Sequence, residues 1–183
     1  MFRLPVVLAA MSLAVSSPAL AAEPPSAFHA GTVITDFGKV ATIADRDVDV
    51  PTGTVLRVAF DAVTGKEATL NRTLESAARF LNMHAEAGVP VEHQHLAIVV
   101  HGAAVFDVTT VSAYARKYPG AENPNAPLIA ALHAKGARII VCGQSAVAQG
   151  VEKAELLPGV ELALSAMTAH ALLQQQGYSL NPF

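Results

Sequence analysis

The sequence has 183 residues, of which 52% are hydrophobic, and a formal net charge of −3 at pH 7. A chain of this length suits a single domain with a sizeable core. Its slightly acidic balance excludes the basic surface of a nucleic-acid-binding protein. Its single cysteine rules out a disulfide within the chain, so this residue is buried, paired with an external molecule, or functional.

Residues 1–21 have the pattern of a secretory signal peptide. Arg3 provides the positive charge, residues 4–13 form an apolar run too short to span a bilayer as a mature helix, and Ala19-Leu20-Ala21 is a small-residue cleavage site. A lipoprotein is excluded because there is no cysteine at the cleavage point. We therefore expect cleavage after Ala21 and export, to a bacterial periplasm, with no membrane attachment afterwards.

Residues 22–53 form a leading extension. Residues 33–43 alternate weakly around Gly38, which predicts a short, irregular strand or hairpin against the main body. The charged turn that follows has aspartates at positions 45, 47 and 49, a spacing that calcium loops use. The glycine and the terminal glutamate of such a loop are absent, so we expect a solvated turn.

From residue 54 onward, strand and helix patterns alternate. Strands are predicted at 55–61, 96–101, 138–142, 160–164 and 178–183, and helices at 69–87, 111–117, 128–135, 146–149 and 166–176. Asn71 and Asn82 are predicted on the polar face of the first helix, although Asn71 is close enough to its start to face the sheet edge instead. The alternation predicts an α/β fold over residues 54–183, with a parallel sheet and helices on both of its faces.

The cysteine stretch lies at the centre of this pattern. Residues 139–141 form a continuous apolar run, typical of a strand covered on both faces, and Cys142 ends that strand. Ser145 is the predicted N-cap of the next helix, whose N–H groups would stabilise a thiolate. Gly143, Gln144 and Ser145 are therefore supporting site candidates. The same pattern also fits a buried cysteine that packs as a small hydrophobe.

The carboxyl ends of parallel strands share one edge of a sheet. That edge is predicted to collect Asp61, His101, Cys142 and Ser165, although the sequence leaves the strand order open. His101 is a second site candidate: it could orient a substrate or act as an acid or base near the thiol. Alternatively, it is a strand-end histidine that bonds only to the backbone.

Neither a metal nor an organic cofactor is expected. His93 and His95 would share one side of an extended segment, but a third ligand at a recognisable spacing is missing, so we expect loop histidines rather than zinc ligands. The loop after the first strand lacks the glycine-rich dinucleotide fingerprint and the spacing of a phosphate loop, and no G-x-S-x-G elbow occurs. The other histidines, at 29, 84, 133 and 170, carry no signal.

The segment Val141-Cys142-Gly143-Gln144-Ser145-Ala146, followed by Gly150-Val151, resembles the cysteine segment of the DsrE/DsrF-like family. Further pieces are similar to its exported, single-domain branch: Glu155 to Val160, Ser165 to Thr168, Gly177-Tyr178, and His101-Gly102 at the end of the second strand. The resemblance covers roughly residues 54–183.

This resemblance implies a three-layer α/β/α fold with a mainly parallel five-stranded sheet. It also implies a homo-oligomer, a trimer or a hexamer. Cys142 aligns with the cysteine that carries a persulfide in the cytoplasmic sulfur-relay members. Gln149 stands where those members often have an arginine before the glycine.

Two hypotheses follow. The first is a periplasmic DsrE-like protein that binds or relays sulfane sulfur through Cys142, a sulfurtransferase-like carrier that exchanges sulfur with a donor or acceptor protein. The second is a non-enzymatic oligomeric binding or scaffold module with a structural cysteine. The accessibility of the thiol in the folded protein distinguishes them, because only the first requires a reactive sulfur.

Overall fold

Five parallel strands form the centre of the molecule. The computed structural model describes residues 27–182, so the predicted signal peptide lies outside the described residues. The strands are β1 (Leu56–Ala62), β2 (Gln94–Val100), β3 (Arg138–Cys142), β4 (Val160–Ala163) and β5 (Ser179–Asn181). Their order is β4-β3-β2-β1-β5, and every neighbouring pair is parallel. The predicted parallel α/β fold is confirmed, and β2 lies between β1 and β3.

Helices cover both faces of this sheet. Within residues 27–182 they are α1 (Arg72–Glu86), α2 (Val111–Lys117), α3 (Ala126–Ala134), α4 (Gly143–Ala148) and α5 (Ala166–Gln175), with 3-10 segments at Val91–His93, Gly102–Val108 and Lys153–Glu155. Helices α1 and α3 contribute to the larger core cluster on one face, and α5 packs on the other. The result is a three-layer structure. None of the described helices combines the length and the apolar character needed to cross a membrane.

The two central strands are buried because both of their faces are covered. Val99 of β2 and Ile140 of β3 lie on the face toward α5. Side chains along a strand alternate between faces with a period of two residues. His101 and Cys142, each two positions further on, therefore continue the α5 face at the carboxyl edge of the sheet.

The segment before β1 packs onto α1 through one buried amide. In the described part, residues 27–55 have no regular strand, and one isolated antiparallel bridge joins His29 to Val40. Asn82 of α1 is completely buried. Its side chain accepts hydrogen bonds from two backbone N–H groups and donates to three carbonyls, in Val33, Ile34, Phe37 and Gly38. The prediction that Asn82 lies on a polar helix face is therefore wrong, because its amide holds the extension.

A second buried polar cluster joins the loops that follow β1 and β2. Asn71 is the N-cap of α1, and its Nδ2 donates to the Thr64 carbonyl at 2.9 Å and to Asp107 Oδ2 at 2.8 Å. Asn71 thus faces the sheet edge, the second of the two predicted alternatives. Asp107 is 1% exposed, and its Oδ1 has no hydrogen-bond partner. Burial raises the pKa of Asp107 to about 6, against the opposing effect of the Asn71 hydrogen bond.

Candidate functional site

Cys142 is the last residue of β3 and lies inside the sheet. It is a free cysteine and is 5% exposed. Strand β3 lies between β2 and β4. Its pairing with β2 extends as far as Val141, which lies opposite Val100, and its pairing with β4 extends to Cys142, which lies opposite Ala163. The cysteine is therefore at the carboxyl edge of a central strand, as the sequence pattern predicted.

The helix after the cysteine begins three residues earlier than predicted. Helix α4 starts at Gly143 and its N-cap is Cys142, whose Sγ accepts a hydrogen bond from the Ser145 N–H at 3.4 Å. The prediction that Ser145 is the N-cap is wrong. A Cβ on Gly143 would lie 2.6 Å from the Ala163 carbonyl oxygen. The absence of a side chain at Gly143 therefore lets the helix start directly against the end of β4.

Hydrogen bonds around the sulfur favour the thiolate. Burial is the largest single influence on the pKa of Cys142, and alone it would raise that pKa. The Ser145 hydroxyl and the backbone N–H groups of Ser145, Ala166 and Gln144 act in the opposite direction, and the net result is a lowered pKa. Ala166 is the first residue of α5. The sulfur thus lies where two helices begin, and N–H and O–H donors, rather than a cationic side chain, stabilise its charge.

Ser145 and Gln144 connect the cysteine segment to its two neighbouring loops. Ser145 Oγ accepts a hydrogen bond from the Gly102 N–H at 3.2 Å, which links the sulfur environment to the loop after β2. The exposed Gln144 side chain donates through Nε2 to the Leu164 carbonyl at 3.4 Å. It therefore reaches from α4 to the segment between β4 and α5.

An apolar groove of about 690 Å³ lies beside the cysteine. Gly143 and Gln144 form part of its wall, together with the end of β4. Val147 and Leu164 also line it, and they are 80% and 72% exposed. Large apolar side chains exposed together mark interaction surfaces. The groove is thus a surface on which another molecule can approach the cysteine segment.

His101 continues the line of β2 and reaches a carboxylate. Its backbone remains extended, and its N–H donates to the Ala62 carbonyl at 2.9 Å. The next step of the β2–β3 register after Val100 and Val141 places His101 opposite Cys142. Its Nε2 lies 3.1 Å from Asp61 Oδ1. The side chain therefore contacts a carboxylate rather than only the backbone.

His170 is a site residue that the sequence reasoning missed. Its Nε2 lies 2.8 Å from the same Asp61 Oδ1, although the two residues are 109 positions apart. Burial is the largest influence on the pKa of Asp61 and would raise it, but hydrogen bonds from His170 and His101 produce a net lowering. The available signal was helical spacing, because His170 follows Ala166 by one turn and shares its side of α5.

The other candidate histidines lie elsewhere. His93 and His95 are at the amino end of β2, opposite the end that carries His101. Among the residues that the structure describes, no group of three or more His, Cys, Asp or Glu side chains is arranged to hold a metal ion. In the Asp61 cluster, both imidazole nitrogens point at one carboxylate oxygen as hydrogen-bond partners, not at a shared centre.

Two solved structures have a similar fold. One is a protein of unknown function, MTH1491 from Methanobacterium thermoautotrophicum, with a TM-score of 0.53 and 19% sequence identity over 70% of this chain and 99% of that one. The other is the ychN protein from E. coli, with a TM-score of 0.50 and 14% identity over 70% of this chain and 100% of that one. At these identities the similarity concerns the fold alone.

A search of curated protein sequences found no match. The sequence model of the DsrE/DsrF-like family, in contrast, matches residues 57–182, a range that contains the cysteine segment and all five strands except the first residue of β1. The chain belongs to the DsrE/DsrF-like family.

Proposed function

We propose that this protein is a periplasmic sulfur carrier in which Cys142 accepts sulfane sulfur as a persulfide. The observation that carries the proposal is the set of hydrogen bonds to the Cys142 sulfur, which lowers the pKa of a buried thiol. A thiolate, and not a thiol, is the nucleophile in sulfur transfer. Family membership adds a second line of support, because the resemblance aligns Cys142 with the relay cysteine.

The transfer is a displacement at sulfur. The Cys142 thiolate attacks the outer sulfur of a donor persulfide, R–S–SH, and a new S–S bond forms as the S–S bond of the donor breaks. The leaving thiolate, R–S⁻, takes the electron pair of the broken bond and then a proton. The products are Cys142–S–SH and R–SH, and no external oxidant or reductant is needed.

The surroundings of Cys142 suit a thiolate without the arginine of the cytoplasmic relay segment. Gln149, at that position, ends α4 as its C-cap. Three N–H groups and the Ser145 hydroxyl provide donors to the sulfur instead. Hydrogen bonds from neutral donors to a charged group are worth about 1.5–3 kcal/mol each, so several of them can replace one cation.

The proposals of a partner protein that exchanges sulfur and of a homo-oligomer are based on exposed apolar side chains. The groove beside Cys142 and the outer edge of β4, a terminal strand of the sheet, carry exposed apolar side chains: Val147, Leu162, Leu164 and Met167. These residues support contact with a second subunit, in a trimer or hexamer, or with a protein that donates or accepts sulfur. The periplasmic location is proposed on the signal-peptide pattern of residues 1–21.

One observation, the burial of the Cys142 thiol, favours the scaffold alternative. At 5% exposure, with its sulfur capping α4, Cys142 could be purely structural. In that case a thiol reagent modifies Cys142 only after unfolding. A carrier instead reacts in the folded state.

Sulfur loading tests the proposal. Wild type and Cys142→Ser, a nearly isosteric change, are incubated with polysulfide or a persulfidated donor, and the intact proteins are weighed. The proposal predicts the mass of added sulfur on the wild type alone. Equal gain in both proteins, or no gain in either with several donors, would favour the scaffold.

A further inference from the structure

The carboxylate of Asp61 is shared by two imidazoles. Its Oδ1 lies 3.1 Å from His101 Nε2 and 2.8 Å from His170 Nε2. The lowered pKa of Asp61 means that this carboxylate is ionised and can only accept hydrogen bonds. Both Nε2 atoms must therefore carry hydrogen, and Nδ1 is the remaining site for a proton on each neutral ring.

The two rings are not equivalent, because they differ in burial and in the surroundings of Nδ1. His170 Nδ1 is buried and has no hydrogen-bond partner in the described part of the chain. A proton there would create a buried donor without an acceptor, which is unfavourable. The His101 side chain is more exposed, 28% against 17% for His170. His170 thus acts on Asp61 through Nε2, and His101 is the ring that is more accessible to a bound molecule.

His101 also has the better position relative to the sulfur. Extending the β2–β3 register by one residue beyond Val100 and Val141 puts it opposite Cys142. The alternation of side chains along the strands, two positions after Val99 and Ile140, puts both residues on the sheet face that α5 covers. The first N–H of α5, from Ala166, contributes a hydrogen bond to Cys142, and His170 follows one turn later on the same helix. A single helix therefore fixes both the thiolate and the carboxylate that orients His101.

We propose that His101 is the general acid that protonates the thiolate leaving the sulfur donor, and that Asp61 and His170 are positioning residues that hold its ring. This inference rests on the proposed function and adds to it the fate of the leaving group. As the donor S–S bond breaks, R–S⁻ takes the Nδ1 proton of the His101 imidazolium. Cys142–S⁻, R–S–SH and the imidazolium become Cys142–S–SH, R–SH and neutral imidazole.

Leaving-group dependence tests this role without requiring a persulfide. Two disulfides are compared as substrates of the Cys142 thiolate: a nitrothiobenzoate disulfide, whose aromatic thiolate is stable without a proton, and hydroxyethyl disulfide, whose aliphatic thiolate is basic. In both reactions a mixed disulfide forms on Cys142 and one thiolate leaves. Only the aliphatic thiolate gains from a proton donor.

The variants are His170→Leu, His170→Gln and Asp61→Asn. With hydroxyethyl disulfide, His170→Leu and Asp61→Asn should react about tenfold more slowly than wild type. This is less than the roughly 10²-fold or more expected for complete loss of a general acid, because His101 itself remains. With the aromatic disulfide, both variants should react at the wild-type rate. His170→Gln should recover most of the aliphatic rate, because a glutamine Nε2 can donate to Asp61. His133→Gln, an exposed histidine on α3, is the control and should match wild type with both disulfides.

Equal slowing with both disulfides would overturn the inference, because it would indicate a disturbed cysteine segment rather than a lost proton donor. Unchanged rates in both positioning variants would overturn it as well. If His170→Leu does not fold, the test uses Asp61→Asn and His170→Gln, and compares the rate of each with the aliphatic disulfide with its rate with the aromatic disulfide. Sulfur loading of the wild type is measured separately. Normal loading without a leaving-group effect would reject only the role of His101 as general acid. A thiol that reacts with disulfides but never takes up sulfur would reject only the carrier function.

Discussion

Cys142, at the end of β3, and Asp107, in the connection after β2, are both buried acids, yet their environments favour opposite charge states. Burial is the largest influence on the pKa of each group, and in both it raises the pKa. The cysteine receives hydrogen bonds from Ser145, Ala166 and Gln144, and its pKa is lowered. The aspartate receives one, from Asn71, and its pKa is raised to about 6. The number of donors, rather than the degree of burial, decides which group is held as an anion.

The largest effect is expected from removing the charge of Asp107. Its folded pKa, about 6, exceeds the unfolded value of 3.8, so the native state binds more protons between these values. Stability from this group is therefore fully present below pH 4 and is lost as the pH rises through 6. As the pH rises from 4 to 7, the free energy of unfolding of the Asp107→Asn variant should therefore increase by roughly 2–3 kcal/mol relative to that of the wild type.

Urea denaturation of both proteins at several pH values measures this difference. The other titrating groups contribute equally to the pH dependence of both proteins, so their contributions cancel in the difference. A cost of the new amide that does not depend on pH shifts the difference by the same amount at every pH. A difference that stays constant from pH 4 to 7 would show that Asp107 is not a destabilised carboxylate.

The next effect concerns the turn that brings the donors to the sulfur. Gly143→Ala places a Cβ against the Ala163 carbonyl and should lower the free energy of unfolding by about 1–3 kcal/mol, as overpacking does. Because the start of α4 must move, the pKa of Cys142 should rise. Denaturation and the pH dependence of thiol alkylation report the two effects. Val147→Ala, an exposed position in the same helix, is the control, and equal behaviour of the two variants would contradict the account.

A smaller and more selective effect is expected for Ser145→Ala. It removes the hydroxyl that lowers the pKa of Cys142 but leaves the Ser145 N–H in place. Alkylation near pH 7 should slow about tenfold or more, because one hydrogen bond to a charged group is worth about 1.5–3 kcal/mol. Stability should change little, because Ser145 Oγ otherwise accepts only from the Gly102 N–H. An unchanged alkylation rate would mean that the backbone donors alone hold the sulfur.

The sequence predicted the elements better than the contacts between them. The β3 bounds and the sheet class followed from apolar runs and from the alternation of strands and helices. The Ser145 error had a local cause: serine is a favoured N-cap, but Gly143 allowed the helix to begin at once, which moved Ser145 to its third position. The hydroxyl then points back toward the sulfur.

The missed residues depend on contacts between distant parts of the chain. Asn82 bonds to backbone groups up to 49 residues away, and His170 reaches Asp61 across 109 residues. Helical spacing places His170 on the Ala166 side of α5, but no local pattern shows that either side chain is buried and bonded. Their roles follow only from the packing of α1 and α5 against the sheet, which depends on the strand order.

Mass spectrometry of the protein from its own compartment tests the central claim most directly. The protein is isolated under conditions that trap persulfides by alkylation, and the peptide that contains Cys142 is weighed. We expect an additional sulfur on Cys142 in part of the population, and its loss after reduction. A Cys142 peptide that carries only the unmodified thiol, in a protein that also takes no sulfur from donors in vitro, would contradict the carrier and leave a structural cysteine.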